Sequence, residues 1–366
     1  DTVAAQAPDV TAPAGILVAA DGQVLWAREA DSRRAMASTT KIMTAVVAIE
    51  NASLDDRVTI TSRATAVGEA AARLRPGADY PLRTLVEALL VRSGNDASVA
   101  VAEHVAGDVD RFVQLMNDKA EQLGLENTRF ANPHGLDEAG HHTTAEDLAT
   151  LARYAMANDE FRRMVAIEAM EIEGAGGVQE LENSNLLIGT LEGATGVKTG
   201  FTGNAGFCLA ASAQRDDVEL FSVVLGAASE QERFQQSGLL LEWGFLHYGV
   251  RRLAESGEVI ASVAVADYLD RSFDAVVGEP ADLHVFDLAG EVTRVVRVPE
   301  HVEAPVARGE RVGTLSFVQG GRLIGQAPLI SVVDIRRPTL PERAWIALVR
   351  AWRSVSGADS VAEPAS

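Results

Sequence analysis

Of the 32 basic residues in this 366-residue chain only three are lysine, namely Lys41, Lys119 and Lys198, so arginine serves wherever either cation would do. Each lysine therefore marks a place where an amine is wanted and not a charge alone. Ser38 stands three residues before Lys41, and on a helix that spacing sets both side chains on one face, a single turn apart. A serine hydroxyl is a poor nucleophile until a base removes its proton. Lysine can be that base only where desolvation or a neighbouring cation depresses its pKa, and arginine cannot substitute because it does not deprotonate in proteins. The pair points to covalent catalysis by Ser38 with a neutral Lys41 as base. Taken alone it also reads as a helix cap followed by a solvated lysine, so the spacing needs company.

Company arrives at Ser93-Gly94-Asn95 and at Lys198-Thr199-Gly200, which place two of the three lysines inside short motifs. In this order Ser-x-x-Lys, Ser-x-Asn and Lys-Thr-Gly resemble the signature of the penicillin-binding proteins and serine β-lactamases, where the second motif carries Asp at the position held here by Gly94. Three stretches narrow the resemblance to the low-molecular-weight D-alanyl-D-alanine carboxypeptidases. They are Gly196 to Thr202 with Ala205 to Ala210, Asn132 to Leu136 followed by His141 to Thr144, and Asn183 to Leu187. The likeness covers residues 14–250, and the segment through Ile335 resembles the C-terminal domain such enzymes often carry.

That resemblance implies a set of roles. Ser38 would attack the terminal D-Ala-D-Ala bond of a peptidoglycan stem peptide, form an acyl-enzyme, release D-alanine and be freed by water. Lys41 would be the acylation base, Ser93 a proton relay to the leaving nitrogen, and Asn95 the group orienting Lys41 or the substrate amide. Lys198 would supply a fixed positive charge that depresses the pKa of Lys41 and attracts the substrate carboxylate, with Thr199 and Arg233 binding the same carboxylate. Gly200 would let the substrate backbone approach an exposed strand edge. The backbone N–H groups of Ser38 and Phe201 would form the oxyanion hole.

Such a site needs elements to hold it. Apolar stretches at Ile16–Ala19 and Val24–Trp26, joined across Asp21-Gly22, predict a hairpin. Ala205–Ala213 and Val218–Leu225, with Arg215 to Asp217 between them, predict a second. Helical spacing from Ser38 to Glu50, through Leu85, Leu89 and Leu90, and through Val99 and Val101 predicts buried helices. Thr143 with Glu146 reads as a capping box. The fold class expected is α+β, a β-lactamase/transpeptidase-like domain with an antiparallel sheet flanked by helices, followed by a small all-β domain. The expected divisions are a flexible leader at 1–13, the catalytic domain at 14–252, a β-rich domain at 253–336 and an amphipathic tail at 337–366.

Composition narrows the partners. A net charge of −20 leaves no source of phosphate neutralisation, so nucleic acid is not expected. The seven histidines show no His-Glu-x-x-His pattern and the one cysteine, Cys208, falls in an apolar strand pattern, so neither metal nor other cofactor is expected. No apolar run is long enough to span a bilayer. In the tail, Trp345, Leu348, Val349, Trp352 and Val355 gather on one helical face with Arg343, Arg350 and Arg353 beside it, which predicts a peripheral membrane contact. The expected location is extracytoplasmic, at the outer face of the cytoplasmic membrane, with any signal peptide already removed. The expected ligands are stem peptides and β-lactam antibiotics. Three rival readings stand beside this one: a serine β-lactamase, which shares the signature, a D,D-endopeptidase acting on cross-links, and a non-catalytic cell-wall scaffold, against which the intact motifs argue.

Overall fold

A computed structural model describes residues 7–356. The expected leader over residues 1–6 and the end of the expected tail over 357–366 lie outside the described residues. Two compact units divide the chain, residues 1–247 and 248–366.

The first unit opens with strands β1 (Ala14–Ala19) and β2 (Val24–Arg28). A 3-10 turn over Ala37–Thr40 then runs into helix α1 (Lys41–Asn51). Helices α2 (Leu82–Val91), α3 (Asn95–Ala106), α4 (Val109–Gln122), α5 (Ala145–Met156) and α6 (Asp159–Val165) follow. A hairpin of β3 (Ala169–Gly174) and β4 (Gly177–Glu182) precedes β5 (Ala194–Thr202), β6 (Gly206–Arg215), β7 (Val218–Ala227) and helix α7 (Glu230–His247). The main sheet is antiparallel in the order β2-β1-β7-β6-β5, which leaves β5 at an edge.

Period-2 alternation assigns the two faces of that sheet. Ile16, Val18, Phe221, Val223 and Leu225 join the core made with the helices. On the other face Leu17 and Leu220 press so closely on α7 at Gly244 that a Cβ there would fall 2.9 and 2.6 Å from them. The first eight residues of α1 are all buried, Lys41 included, as expected of a helix that is apolar on every side. Helix α5 is capped by Thr144, whose hydroxyl accepts from the Asp147 N–H at 3.1 Å. The expected cap at Thr143 is thus displaced by one residue. Thr143 instead bonds Thr128 through their hydroxyls at 2.8 Å.

The expectation of a loose leader through residue 13 is corrected at its end. Val10 and Ala12 are fully buried, and the Gln236 side chain on α7 accepts from the Ala12 N–H at 2.8 Å and donates to the Thr11 hydroxyl at 2.7 Å. Apolar residues met by a paired amide outweigh the polar, Ala/Pro-rich texture that suggested freedom.

Among its described residues the second unit has a six-stranded sheet, a separate pair of strands and one helix. Its strands are β8 (Tyr248–Ala254), β9 (Val259–Val265), β10 (Ser272–Val277), β11 (Ala281–Phe286), β12 (Val292–Arg297), β13 (His301–Val302), β14 (Arg311–Gln319) and β15 (Arg322–Ser331). The order is β12-β14-β15-β10-β9-β13, with β8 paired to β11. The boundary expected between residues 252 and 253 falls inside β8, because Arg251 and Arg252 continue the pairing with Leu283 and Asp282. Helix α8 (Leu340–Ser356) leaves Trp345, Leu348, Trp352 and Val355 exposed. Its arginines are not all beside that face in solvent. Arg353 pairs with Asp270 through two bonds of 2.7 and 2.9 Å, and Arg350 donates to the carbonyls of Ala266 and Tyr268. No helix among the described residues is long and apolar enough to cross a membrane.

Candidate active site

The turn that carries Ser38 is held from every side. Ala37 adopts a left-handed φ of 48°. Within the turn the Thr39 and Thr40 hydroxyls donate back to the Met36 and Ala37 carbonyls at 2.7 and 2.8 Å. Two glycines flank it. A Cβ at Gly135 would lie 2.0 Å from the Ala37 oxygen, and one at Gly200 would lie 2.9 Å from the Ser38 nitrogen. Strand β5 and the loop at 132–136 can close on the turn only because both positions lack a side chain.

Lys41, fully buried one turn beyond, has three neighbours for its Nζ: the Ser38 hydroxyl at 3.0 Å, Asn95 Oδ1 at 2.8 Å and the His134 carbonyl at 2.6 Å. Asn95 Nδ2 donates to the Gly68 carbonyl at 2.9 Å, which fixes the amide so that its oxygen faces Lys41. Burial pushes the pKa of Lys41 well below the ordinary lysine value, Lys198 lowers it further, and Asp96 and Glu69 oppose both. A neutral amine has two N–H donors and one lone pair. The two carbonyl oxygens can only accept, so they take the N–H bonds and the lone pair is left for the Ser38 O–H. This is the geometry of a general base poised on a hydroxyl.

Ser93 sits just before α3 with φ of 68°, a conformation that costs a non-glycine residue about 1–3 kcal/mol and clusters at functional sites. Its hydroxyl is buried and makes no hydrogen bond among the described residues. Behind it the Asp96 carboxylate accepts from the N–H groups of Ala72, Leu74 and Ala97 at 2.8, 3.0 and 2.9 Å. That carboxylate clamps the 70–74 loop against the start of α3.

On edge strand β5, Lys198 is 1% exposed, and its Nζ reaches the Thr199 carbonyl at 3.2 Å and the Ser184 hydroxyl at 3.5 Å. Ser184 in turn bonds the Thr199 hydroxyl at 2.7 Å. Burial, with the charge of Arg233 second, pulls the pKa of Lys198 down to about 7. Complete burial thus works against the fixed charge expected of Lys198. Arg233 is 4% exposed, donates to the Gly200 carbonyl at 3.2 Å and to Glu230 at 2.6 Å, and its Nε has no hydrogen-bond partner among the described residues. Phe201 is exposed and stacks on Phe207 with centroids 4.3 Å apart.

One cleft of about 810 Å³ collects Ser38, Ser93, Thr199, Gly200, Phe201 and Arg233 on its walls. Lys41 and Asn95 lie beneath Ser38, and Lys198 behind Thr199. All nine residues singled out from the sequence thus belong to one neighbourhood. Sequence reasoning missed the His134 carbonyl, Asp96, Ser184, Gly135 and the link from His141 Nε2 to the Thr40 hydroxyl at 2.7 Å. His141 Nδ1 accepts from the Ala131 N–H at 2.9 Å, so Nε2 carries the proton and donates to Thr40. Burial, with the charge of His142 second, holds His141 near pKa 4. A backbone oxygen has no sequence signal, but Asp96 directly after the Ser-x-Asn motif could have been flagged. Cys208 is fully buried with its pKa pushed up to about 11, in keeping with a packed thiol.

The chain is similar to known proteins in sequence and fold. The D-alanyl-D-alanine carboxypeptidase family profile matches residues 1–229, and the profile of the penicillin-binding protein 5 C-terminal domain matches residues 248–337. The D-alanyl-D-alanine carboxypeptidase DacF of Bacillus subtilis is 32% identical over 337 residues, covering 89% of this chain and 86% of the relative. Among solved structures, the D-alanyl-D-alanine carboxypeptidase DacD of Francisella tularensis aligns over 90% of this chain and 95% of its own, with TM-score 0.71 and 26% identity. Penicillin binding protein 5 of Haemophilus influenzae aligns over 90% and 99%, with TM-score 0.69 and 29% identity.

Proposed function

The chain belongs to the D-alanyl-D-alanine carboxypeptidase family of serine peptidases, the low-molecular-weight penicillin-binding proteins, and from that premise we propose which side chains do its chemistry. The reaction is removal of the terminal D-alanine from peptidoglycan stem peptides through an acyl-enzyme, with penicillin as a covalent mimic of the substrate. Lys41 takes the Ser38 proton as Oγ bonds to the scissile carbonyl carbon. The N–H groups of Ser38 and Phe201 hold the oxyanion. Ser93 gives its hydroxyl proton to the leaving nitrogen as the C–N bond breaks and takes in exchange the proton Lys41 holds, which leaves Lys41 neutral. Lys198, Thr199 and Arg233 receive the terminal carboxylate, whose charge raises the pKa of Lys198 and restores its proton. Water then attacks the ester with Lys41 again as base.

One observation carries this reading: Lys41 Nζ is desolvated and satisfied by two carbonyl oxygens while facing the Ser38 hydroxyl at 3.0 Å. The β-rich unit and α8 complete the proposal. The enzyme works outside the cytoplasm, and the exposed Trp345, Leu348, Trp352 and Val355 rest in the headgroup region of a membrane. With Arg350 and Arg353 engaged on the β unit, apolar contact supplies more of that attachment than charge does.

Intact-mass analysis after penicillin treatment tests the nucleophile. One penicilloyl adduct is expected on the parent and none on Ser38→Ala. An adduct that persists on the variant places the nucleophile elsewhere. Release of D-alanine from a D-Ala-D-Ala peptide tests the activity.

A further inference from the structure

Between Ser38 and Lys41 stands a threonine whose hydroxyl the proposed chemistry does not use. Thr40 is fully buried, and its hydroxyl meets the Ala37 carbonyl at 2.8 Å and His141 Nε2 at 2.7 Å. A hydroxyl carries one proton, so the direction of each bond can be read. His141 Nδ1 accepts from the Ala131 N–H at 2.9 Å, which puts the proton of the neutral ring on Nε2. Nε2 therefore donates to Thr40, and the Thr40 proton is left for the Ala37 carbonyl. The bonds run one way, from the Ala131 amide through the ring and the hydroxyl to the Ala37 oxygen. Hydrogen bonds aligned in a chain polarise one another.

His141 is itself held in place. It is buried, its ring lies edge-on to Phe130 with centroids 6.1 Å apart, and its backbone N–H donates to the Glu138 carbonyl at 3.1 Å. The same stretch of chain takes the Thr44 hydroxyl on the Pro133 carbonyl at 2.6 Å and Lys41 Nζ on the His134 carbonyl at 2.6 Å. Residues 131–141 thus cradle the start of α1, and His141 adds a side-chain bond to that cradle.

The end of the chain of bonds is the peptide that joins Ala37 to Ser38. That peptide is trans, so its carbonyl and its N–H point in opposite directions. Fixing the Ala37 oxygen on one side aims the Ser38 N–H on the other. The left-handed φ of 48° at Ala37 persists only where the surroundings enforce it, and the Thr40 bond is one such restraint. We propose that His141 is a positioning residue of the reaction, which acts through Thr40 to set the Ala37–Ser38 peptide so that the Ser38 N–H faces the oxyanion. This rests on the proposed reading of Ser38 as nucleophile and of its N–H as an oxyanion donor. Acylation and deacylation both pass through an oxyanion, so a tilted peptide slows both together. In that case kcat falls and KM keeps its value.

Two amide substitutions separate the two ring nitrogens. His141→Gln puts an N–H donor where Nε2 stood and gives up the acceptor for Ala131. His141→Asn puts its oxygen where Nδ1 stood, keeps the Ala131 bond and falls short of Thr40. The readout is kcat and KM for release of D-alanine from an acylated D-Ala-D-Ala peptide, with thermal melting in parallel. His141→Asn should lower kcat at least about tenfold, a part of the roughly 10²- to 10³-fold that losing a whole oxyanion donor costs, and leave KM within about threefold. His141→Gln should keep kcat within about threefold of the parent, whatever its melting temperature. Thr40→Val should be as slow as His141→Asn or slower, and Thr40→Ser close to the parent. The ¹⁵N spectrum of the His141 ring in the parent, which needs no variant to fold, should show the proton on Nε2. A proton on Nδ1, a folded His141→Asn as fast as His141→Gln, or equal rates for the two Thr40 variants each overturn the proposal and leave the active-site reading intact. A parent that releases no D-alanine overturns the active-site reading instead.

Discussion

Replacing Gly135 by alanine should disable the enzyme without changing any side chain that reacts. A Cβ built there falls 2.0 Å from the Ala37 oxygen, 2.4 Å from its carbon and 2.9 Å from the Ser38 nitrogen, whereas ordinary contact begins at 3.4 Å. All three are backbone atoms, so no side chain can rotate away, and the turn must retreat from the loop by about 1.4 Å, the shortfall between those distances. A misplacement of about 1 Å at a reacting group costs roughly 10²-fold in rate. The backbone at φ of 93° adds about 1–2 kcal/mol of strain for alanine. Gly107→Ala separates the two effects, since Gly107 has φ of 84° at the end of α3 and open space around it. The assay is the second-order rate of acylation by a fluorescent penicillin, with thermal melting as the check on folding. Gly107→Ala should acylate as the parent does, and Gly135→Ala about 100-fold more slowly. A folded Gly135→Ala within about threefold of the parent would refute the claim that these contacts position Ser38.

Three other outcomes are expected. Lys41→Arg keeps a cation but cannot accept a proton, so stopped-flow acylation should slow by about 10²- to 10⁴-fold, the usual worth of a general base. His134 and His141 are held near pKa 4 by burial against an ordinary 6.5. The unfolded chain thus binds more protons between those values, and stability to urea should fall as pH drops from about 6.5 to 4; His141→Gln should show a shallower fall. Trp345→Ala/Trp352→Ala should weaken sedimentation with lipid vesicles roughly tenfold or more, since each ring removes a large apolar contact.

The reactive residues were legible because their chemistry restricts their identity. Ser38, Lys41 and Lys198 stand out in a chain that otherwise chooses arginine, and short apolar stretches between turn residues marked the β1, β6 and β7 strands that frame them. What stayed hidden depends on chain segments meeting in space. The His134 carbonyl that receives a Lys41 N–H is backbone and carries no residue preference. Gly135 stood inside a family-like stretch, and nothing local told that the Ala37 backbone presses against it. Lys198 read as a fixed charge because nothing local tells how deeply a strand residue will be buried. Boundaries suffered similarly: β8 begins with Tyr248 because its partner is β11, more than twenty residues further along the chain, and Ala12 is held by Gln236, more than two hundred residues later.

The account depends on Lys41 being uncharged at rest, and a chain with only three lysines allows that to be read directly. Lysine labelled with 13C at Cε and 15N at Nζ gives three resonances to follow through a pH titration, assigned by Lys41→Arg and Lys119→Arg. Lys119, paired with Glu50 at 2.5 Å, should titrate above the ordinary value. Lys198 should titrate at about 7, and Lys41 well below its ordinary range. Three lysines titrating together near 10.5 would contradict the mechanism at its base.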